Sequence, residues 1–287
     1  MKIANIILVH KNPEQVNRLV KNLEHPDIYN YIHIDRKVEG EPFLDTTLVK
    51  NTFFIKNRVK VTWGGYSILG ATFSSMQEIL RTNPDITHIN VMSGQDYLIK
   101  PVEHLVSLVH NQPDSEFIEF ESIERNWEAN AKINKYHFSE WPYPGVYTFQ
   151  RFFNFLVGPR KFPYKMDVME GPNWMMLTRK ACEYIMDFNR KNPNFYRYFR
   201  FVWVPEEVYI QTLIYNSPFQ SKVVKDNFRY IDWSERKAHP KNLLTSDYQA
   251  MVDSGKIMAR KFDIFLDSKI IDLLDQNLVA QKSGKVY

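Results

Sequence analysis

The stretch Lys2–Leu23, KIANIILVHKNPEQVNRLVKNL, decides how this chain is built. KIANIILVH is a near-continuous apolar, β-branched run, the pattern of a buried first strand. Pro13 then opens a helix, because a proline's missing N–H costs nothing at the first helical position. Val16, Leu19, Val20 and Leu23 share one face of that helix. A buried strand followed at once by an amphipathic helix is half of a βαβ unit, and the rest of the chain shows whether the unit repeats.

It does. YIHID is a second strand, and NTFFI and RVKVT a third and fourth. A helix runs from Ser67 to about Leu80, followed by the strand HINVM, the turn SGQD, a helix from Pro101 to Val109 and the strand EFIEF. This alternation predicts an α/β fold with a mostly parallel sheet. From Ser122 to Lys165 the pattern breaks down into a stretch dense in aromatic and basic residues. Regularity returns with NWMML, a helix from Arg179 to about Arg190, the segment VPEEVYIQT with a helix, the strand NFRYIDW, a helical pattern from Thr245 to Val252, KIMARKFD and a helix from Ser268 to Leu274. Neither a low-complexity linker nor a repeat divides the 287 residues, so a single domain over 1–287 is expected.

Composition is that of an ordinary globular chain, with a formal charge of +4 that suits a negatively charged partner. No run approaches the roughly 18 apolar residues of a membrane span, and the first segment lacks a small-residue cleavage site. The single cysteine, Cys182, excludes a disulfide framework and sits on an apolar helical pattern, where it reads as a packed small hydrophobe.

In open α/β sheets ligands bind beyond the carboxyl ends of the strands. That rule selects His10, Asp35, Arg58, Trp63 and the turn Ser93, Gly94, Gln95 and Asp96. The alternative is that strand ends simply have to become polar somewhere.

Several chemistries are excluded. Gly65 and Gly70 are spaced as in a phosphate-binding loop, but Ala71 and Thr72 stand where the motif requires Lys and Ser or Thr. No GxGxxG follows a strand, no HExxH is present, one cysteine cannot build a zinc site, and no serine elbow supports acyl transfer. The sequence also has no Asp-x-Asp. Glu39-Gly-Glu41 lies in a loop, and the carboxylates of Glu119-Phe-Glu121 are expected to alternate along a strand. On sheets of this kind an Asp-x-Asp at a strand end can hold a divalent cation against a diphosphate, so without one a metal is not expected, and if a diphosphate were to leave, fixed cations would have to neutralise it. Arg229 and the pair Arg260 and Lys261 interrupt apolar runs, where a cation is costly unless it meets an anion. The alternative for them is a structural ion pair with Asp232 or Asp263. Glu206 and Glu207 follow Pro205 at a helix start, where acidic residues favour the positive end of the dipole.

Eight blocks, VHKNPEQVNRLVKNLEHP, YIHIDRK, VTWGGYSILGA, INVMSGQDYLI, GPNWMMLTR, VPEEVYIQTLIYNSPF, FRYIDW and MARKFD, together resemble the core-2/I-branching β-1,6-N-acetylglucosaminyltransferase family, whose relatives include protein xylosyltransferases. The resemblance implies a Rossmann-related GT-A fold. It implies residues 1–121 as the nucleotide-sugar half and 122–287 as the acceptor and catalytic half. It also implies an inverting, metal-independent transfer from a UDP-sugar, most simply UDP-N-acetylglucosamine, to a glycan or lipid-linked saccharide, with no cofactor and no nucleic acid. Glu207 falls on the family's catalytic base, and Arg229 and Lys261 on its diphosphate ligands. His10, Asp35 and Trp63 fall on the uridine side, and Asp96 on the donor sugar. Trp174 and Glu206 belong to the acceptor side, with Glu206 replacing the family's usual Asp and assigned to the helix terminus or a neighbouring cation. A different family sugar such as UDP-xylose, or a non-catalytic nucleotide-sugar-binding protein, are the alternatives. The absence of an anchor and disulfides implies a bacterial, cytoplasmic member, peripheral at the inner membrane face.

The segment Trp141–Lys165 is covered least by the resemblance. Phe149, Phe152, Phe153 and Leu156 share a helical face with Arg151, Arg160, Lys161 and Lys165 nearby, a composition suited to an anionic bilayer. An ordinary core helix is the alternative.

Overall fold

The computed structural model describes residues 1–125 and 127–282, without the side chains of 125–129. In chain order its first half contains β1 (Ile3–Val9), α1 (Pro13–Asn22), β2 (Ile28–Ile34), β3 (Thr52–Phe54), α2 (Ser67–Thr82), β4 (His88–Ser93), β5 (Asp96–Leu98), α3 (Val102–Asn111), β6 (Glu116–Phe117) and β7 (Glu121–Ser122). The second half contains α4 (Trp127–Asn134), α5 (Val146–Val157), β8 (Met169–Glu170), β9 (Met175–Thr178), α6 (Arg179–Lys191), α7 (Pro193–Phe199), α8 (Tyr209–Tyr215), β10 (Val223–Val224), β11 (Arg229–Ile231), α9 (Tyr248–Asp253), β12 (Met258–Arg260) and α10 (Ser268–Lys282).

The main sheet has the order β10-β6-β9-β4-β1-β2-β3, parallel except for the two pairs that β9 makes with β4 and β6. Alternate residues of β1 explain the layering. Ile3, Ile7 and Val9 pack into a core with α1, α3 and α10, while Ala4 and Ile6 pack with α2, α6, α7 and α8 on the opposite face. Cys182 is fully buried in that second core. A smaller sheet, β11-β12-β5, sits beside the carboxyl end of β4, so strands from both halves of the sequence share both sheets.

Asn5, Asn30 and Asn90 stand side by side across β2, β1 and β4 on the first of these faces and hydrogen-bond in series at 2.9 and 2.8 Å. Buried amides are tolerated there because they partner one another. Buried Gln15 on α1 similarly donates to the Gly94 and Phe262 carbonyls and accepts from the Ile264 N–H, tying α1 to the loops around the sheet's carboxyl edge.

Some expected elements differ. RVKVT is not a strand: the Val59 N–H donates to His33 Nε2 at 2.9 Å and the Val61 N–H to Asp35 Oδ1, so side chains take the place of a neighbouring ladder. EFIEF pairs in the main sheet only at Glu116 and Phe117, and the chain then moves to a separate β7–β8 ribbon. The patternless stretch holds two helices, α4 and α5. Among the described residues, no helix is long and apolar enough to cross a membrane.

Candidate active site

The chain runs β1 to β2 to β3 on one side of β1 and returns through α2 to β4 on the other side. The carboxyl ends of β4, β1 and β2 therefore flank a topological switch point. The register pairs Leu8 with Ser93 and Val9 with Ile34, which brings Ser93, His10 and Asp35 side by side. All three line a cleft of about 1400 Å³.

One end of this cleft is basic. Lys11, Lys37, Arg260 and Lys261 line it beside the strand ends. Asp35 pairs with Lys37 at 3.5 Å and Asp263 with Lys11 at 2.7 Å. Burial, reinforced by Lys11, lowers the His10 pKa, so its ring is neutral at pH 7. Burial and then the neighbouring Lys11 and Arg260 charges also lower Lys261. Trp63, exposed and set edge-on to Trp203, forms part of the rim.

Beneath this end is a buried charge cluster. Register places Asp96 of β5 opposite Arg260 of β12, and the two join at 2.9 Å. The second Asp96 oxygen faces Arg229 Nε at 3.5 Å and accepts from the Ser93 N–H. Arg229 spends its remaining donors on the Asn227 and Val91 carbonyls and on Asn90 of the asparagine ladder. Arg260, by contrast, lies 3.7 Å over the Trp174 ring on the cleft wall. Burial pulls its pKa down to about 10, against the attraction of Asp96, and it stays cationic at neutral pH.

Four of the residues assigned from the sequence do not line the cleft. Arg229 does not line the cleft: its side chain is 1 % exposed, and the cation on the wall is Arg260. Its partner is Asp96, rather than Asp232 or Asp263. Asp96 is likewise fully buried and engaged by two guanidinium groups and a backbone donor, beneath the cleft wall. Arg58 gives its guanidinium to the carbonyls of Ile34, Asp35 and Val38 and braces the loop after β2. Gly94 is a packing position, since a Cβ there would meet Val16 at 2.8 Å and Val9 at 3.0 Å.

The other end of the cleft carries carboxylates: Glu119, Glu121, Glu170, Glu206 and Glu207. Glu119 and Glu121 both reach it because the chain has already left the main sheet after Phe117, so they do not alternate along one strand. Among the described residues, no group of three or more His, Cys, Asp or Glu is placed to hold a metal ion. Gly171 permits a close backbone approach, since a Cβ there would collide with the Glu119 carbonyl at 2.0 Å.

Pro205–Glu207 forms a separate 3-10 turn, which Val208 interrupts before α8 begins at Tyr209. The preceding Val204 has φ 49°, a left-handed conformation that is strained for a β-branched residue. The Gly171 N–H donates to the Glu207 carbonyl at 2.8 Å and fixes the turn from the other side.

Within the turn the two carboxylates have opposite surroundings. Glu207 is partly open to the cleft and pairs with Lys132 of α4 at 2.7 Å, and Lys132 also meets Glu170 at 3.2 Å. Burial alone would lower the Lys132 ammonium, but Glu207 and then Glu170 hold it above the ordinary lysine value. Glu206 is 5 % exposed and its Oε2 has no hydrogen-bond partner. Burial pushes its carboxyl up to about 8, outweighing a backbone hydrogen bond, and the Glu207 charge adds to the effect. Among the described residues Glu206 is in no salt bridge, so a directly paired cation, one of the two roles expected from the sequence, is not seen, and Lys132 acts on it only through its charge. Lys132, Glu170 and Trp203 were missed by sequence reasoning. Lys132 lies in the patternless stretch, and the positions of the other two depend on loop packing.

The chain is similar in sequence to known proteins. Xylosyltransferase 1 of Rattus norvegicus is 24% identical over 304 residues, 97% of this chain and 35% of that protein. A xylosyltransferase of Ciona intestinalis is 23% identical over 303 residues, 97% of this chain and 34% of that one. This chain thus spans about a third of the length of the curated relatives it matches. The solved mouse xyloside xylosyltransferase 1 in its apo form gives a TM-score of 0.42 at 10% identity, covering 90% of this chain and 96% of that one, too slight a likeness to bear on the assignment. A family model described as Core-2/I-Branching enzyme matches residues 3–251, and the chain belongs to that family.

Proposed function

We propose that this protein is an inverting glycosyltransferase that moves a sugar, N-acetylglucosamine in the first reading, from a UDP-sugar to a hydroxyl of a glycan without a divalent metal. The observation that carries this reading is the division of one cleft into a cation-lined end at the strand termini and a carboxylate-lined end containing Glu207. About 1400 Å³ exceeds the roughly 300–1,000 Å³ of a single-ligand pocket and accommodates a nucleotide-sugar together with its acceptor.

In this mechanism the donor's uracil and ribose lie along His10, Asp35 and Trp63, and its diphosphate meets Arg260 and Lys261. The acceptor hydroxyl attacks the anomeric carbon as Glu207 takes its proton, a contribution typically worth about 10²- to 10⁴-fold. The bond from that carbon to the diphosphate oxygen breaks on the opposite face, and an α-linked donor gives a β-linked product. Negative charge growing on the leaving UDP is stabilised by the two preorganised cations. Arg229 and Asp96 act from beneath by fixing Arg260. The lack of an Asp-x-Asp supports metal independence. Transfer of xylose is the second reading, favoured by the named activity of the relatives.

Measuring UDP release from a panel of UDP-sugars in EDTA tests the proposal. Turnover of UDP-N-acetylglucosamine that survives chelation is expected. Preference for UDP-xylose would select the second reading, and complete loss in EDTA restored by manganese would contradict the metal-free mechanism.

A further inference from the structure

None of the twelve residues of α5, VYTFQRFFNFLV, is buried. Its inward side is nevertheless clear. Phe149 and Phe153 lie 5.2 and 5.4 Å from the Phe138 ring, Gln150 accepts from the Phe138 N–H, and Asn154 both accepts from and donates to the Tyr136 backbone. At about 100° per residue, Phe155, Phe152, Thr148 and Arg151 point the opposite way, flanked by Tyr147 and Leu156. That outward face is apolar: Phe155 is 84 % exposed, Tyr147 76 %, Leu156 63 % and Phe152 61 %. A contiguous exposed patch of large apolar side chains marks a contact surface.

Charge identifies the occupant. From Trp141 to Met166 the sequence contains no Asp or Glu, while Arg151, Lys161 and Lys165 are exposed. Arg160 does not join them, contrary to the sequence expectation. It stacks 3.9 Å from Tyr198 and 4.5 Å from Tyr136 and donates to the Tyr198 and Phe201 carbonyls. A second copy meeting this face two-fold would set like charges against each other around Arg151. An anionic bilayer accepts the aromatic and aliphatic groups at its interface while the cations reach its headgroups.

We propose that the outward face of α5 docks this protein on an anionic lipid surface. The face is tied to the cleft: α5 packs on Tyr136 and Phe138, and the Trp203 N–H, on the cleft wall, donates to the carbonyl of Lys132. Docking would hold the carboxylate-lined end beside the headgroups. Delivery of a lipid-linked acceptor to that end rests on the transferase reading, whereas the docking itself does not.

The experiment is co-sedimentation with phosphatidylcholine vesicles with and without phosphatidylglycerol, accompanied by sedimentation velocity without lipid. Binding should require phosphatidylglycerol and fall with added salt. It should drop at least tenfold, by order of magnitude, in Phe152→Ser/Phe155→Ser, and by about fivefold for each of Arg151→Gln and Lys161→Gln. These exposed changes should leave the melting temperature and the turnover of a soluble acceptor unchanged, which separates docking from catalysis. No binding to phosphatidylglycerol vesicles at low salt, equal binding to both vesicle types, or a dimer that Phe152→Ser/Phe155→Ser dissolves would each overturn the proposal.

Discussion

Lys132 Nζ lies 2.7 Å from Glu207 Oε2, joining α4 to the Pro205–Glu207 turn across 75 residues of sequence. Because Lys132 also meets Glu170, its ammonium is held between two carboxylates and is a fixed partner for Glu207. A base must stand within hydrogen-bond reach of the proton it takes, and a misplacement of about 1 Å can cost about 10²-fold.

Lys132→Met should therefore lower kcat by about 10- to 100-fold while UDP affinity stays within about twofold. Lys132→Arg should recover part of the loss. Steady-state kinetics and calorimetric UDP titration measure the two quantities separately. An equal loss in both would indicate a general folding defect.

Glu206 predicts a pH signature. Its folded pKa is raised from 4.5 to about 8, so between those values the native state keeps a proton that the unfolded state has released. Stability must then fall as pH rises through that window, by at most about 1.4 kcal/mol per pH unit. Glu206→Gln removes the titration. Denaturant unfolding at about pH 5 and about pH 8.5 should show a smaller difference for the variant than for the wild type, with the variant the more stable relative to wild type at the higher pH.

The architecture was legible because the apolar pattern of β1, β2 and β4 requires burial on both faces, and a parallel sheet delivers His10, Asp35 and Ser93 to one edge. The division of labour between Arg229 and Arg260 was not legible. Both interrupt apolar runs, and only the pairing of β12 with β5 and β11 shows which guanidinium lies beneath the wall and which lies over Trp174. The environment of Glu206 was hidden for a related reason, since adjacent carboxylates look alike until the turn buries one and opens the other. Lys132 left no trace because α4 lacks a periodic apolar face strong enough to announce a helix.

The cations of the basic end should separate by experiment. Asp96→Asn leaves Arg229 and Arg260 buried without their counter-ion and should destabilise the fold by about 3–5 kcal/mol. Lys261→Gln, at a half-buried position, should change stability by no more than about 0.5 kcal/mol yet weaken UDP far more than uridine. Thermal unfolding and competition titrations with the two ligands check both. Equal losses of UDP and uridine in Lys261→Gln would remove that residue from the diphosphate.

The most direct measurement is turnover and UDP affinity of Glu207→Gln, a substitution that keeps the shape of the side chain and removes the base. The account predicts loss of transfer by at least about 10²-fold with UDP binding within a few-fold of wild type, because in the proposed mechanism Glu207 acts on the acceptor hydroxyl and not on the nucleotide. Near-normal turnover in this variant would contradict it.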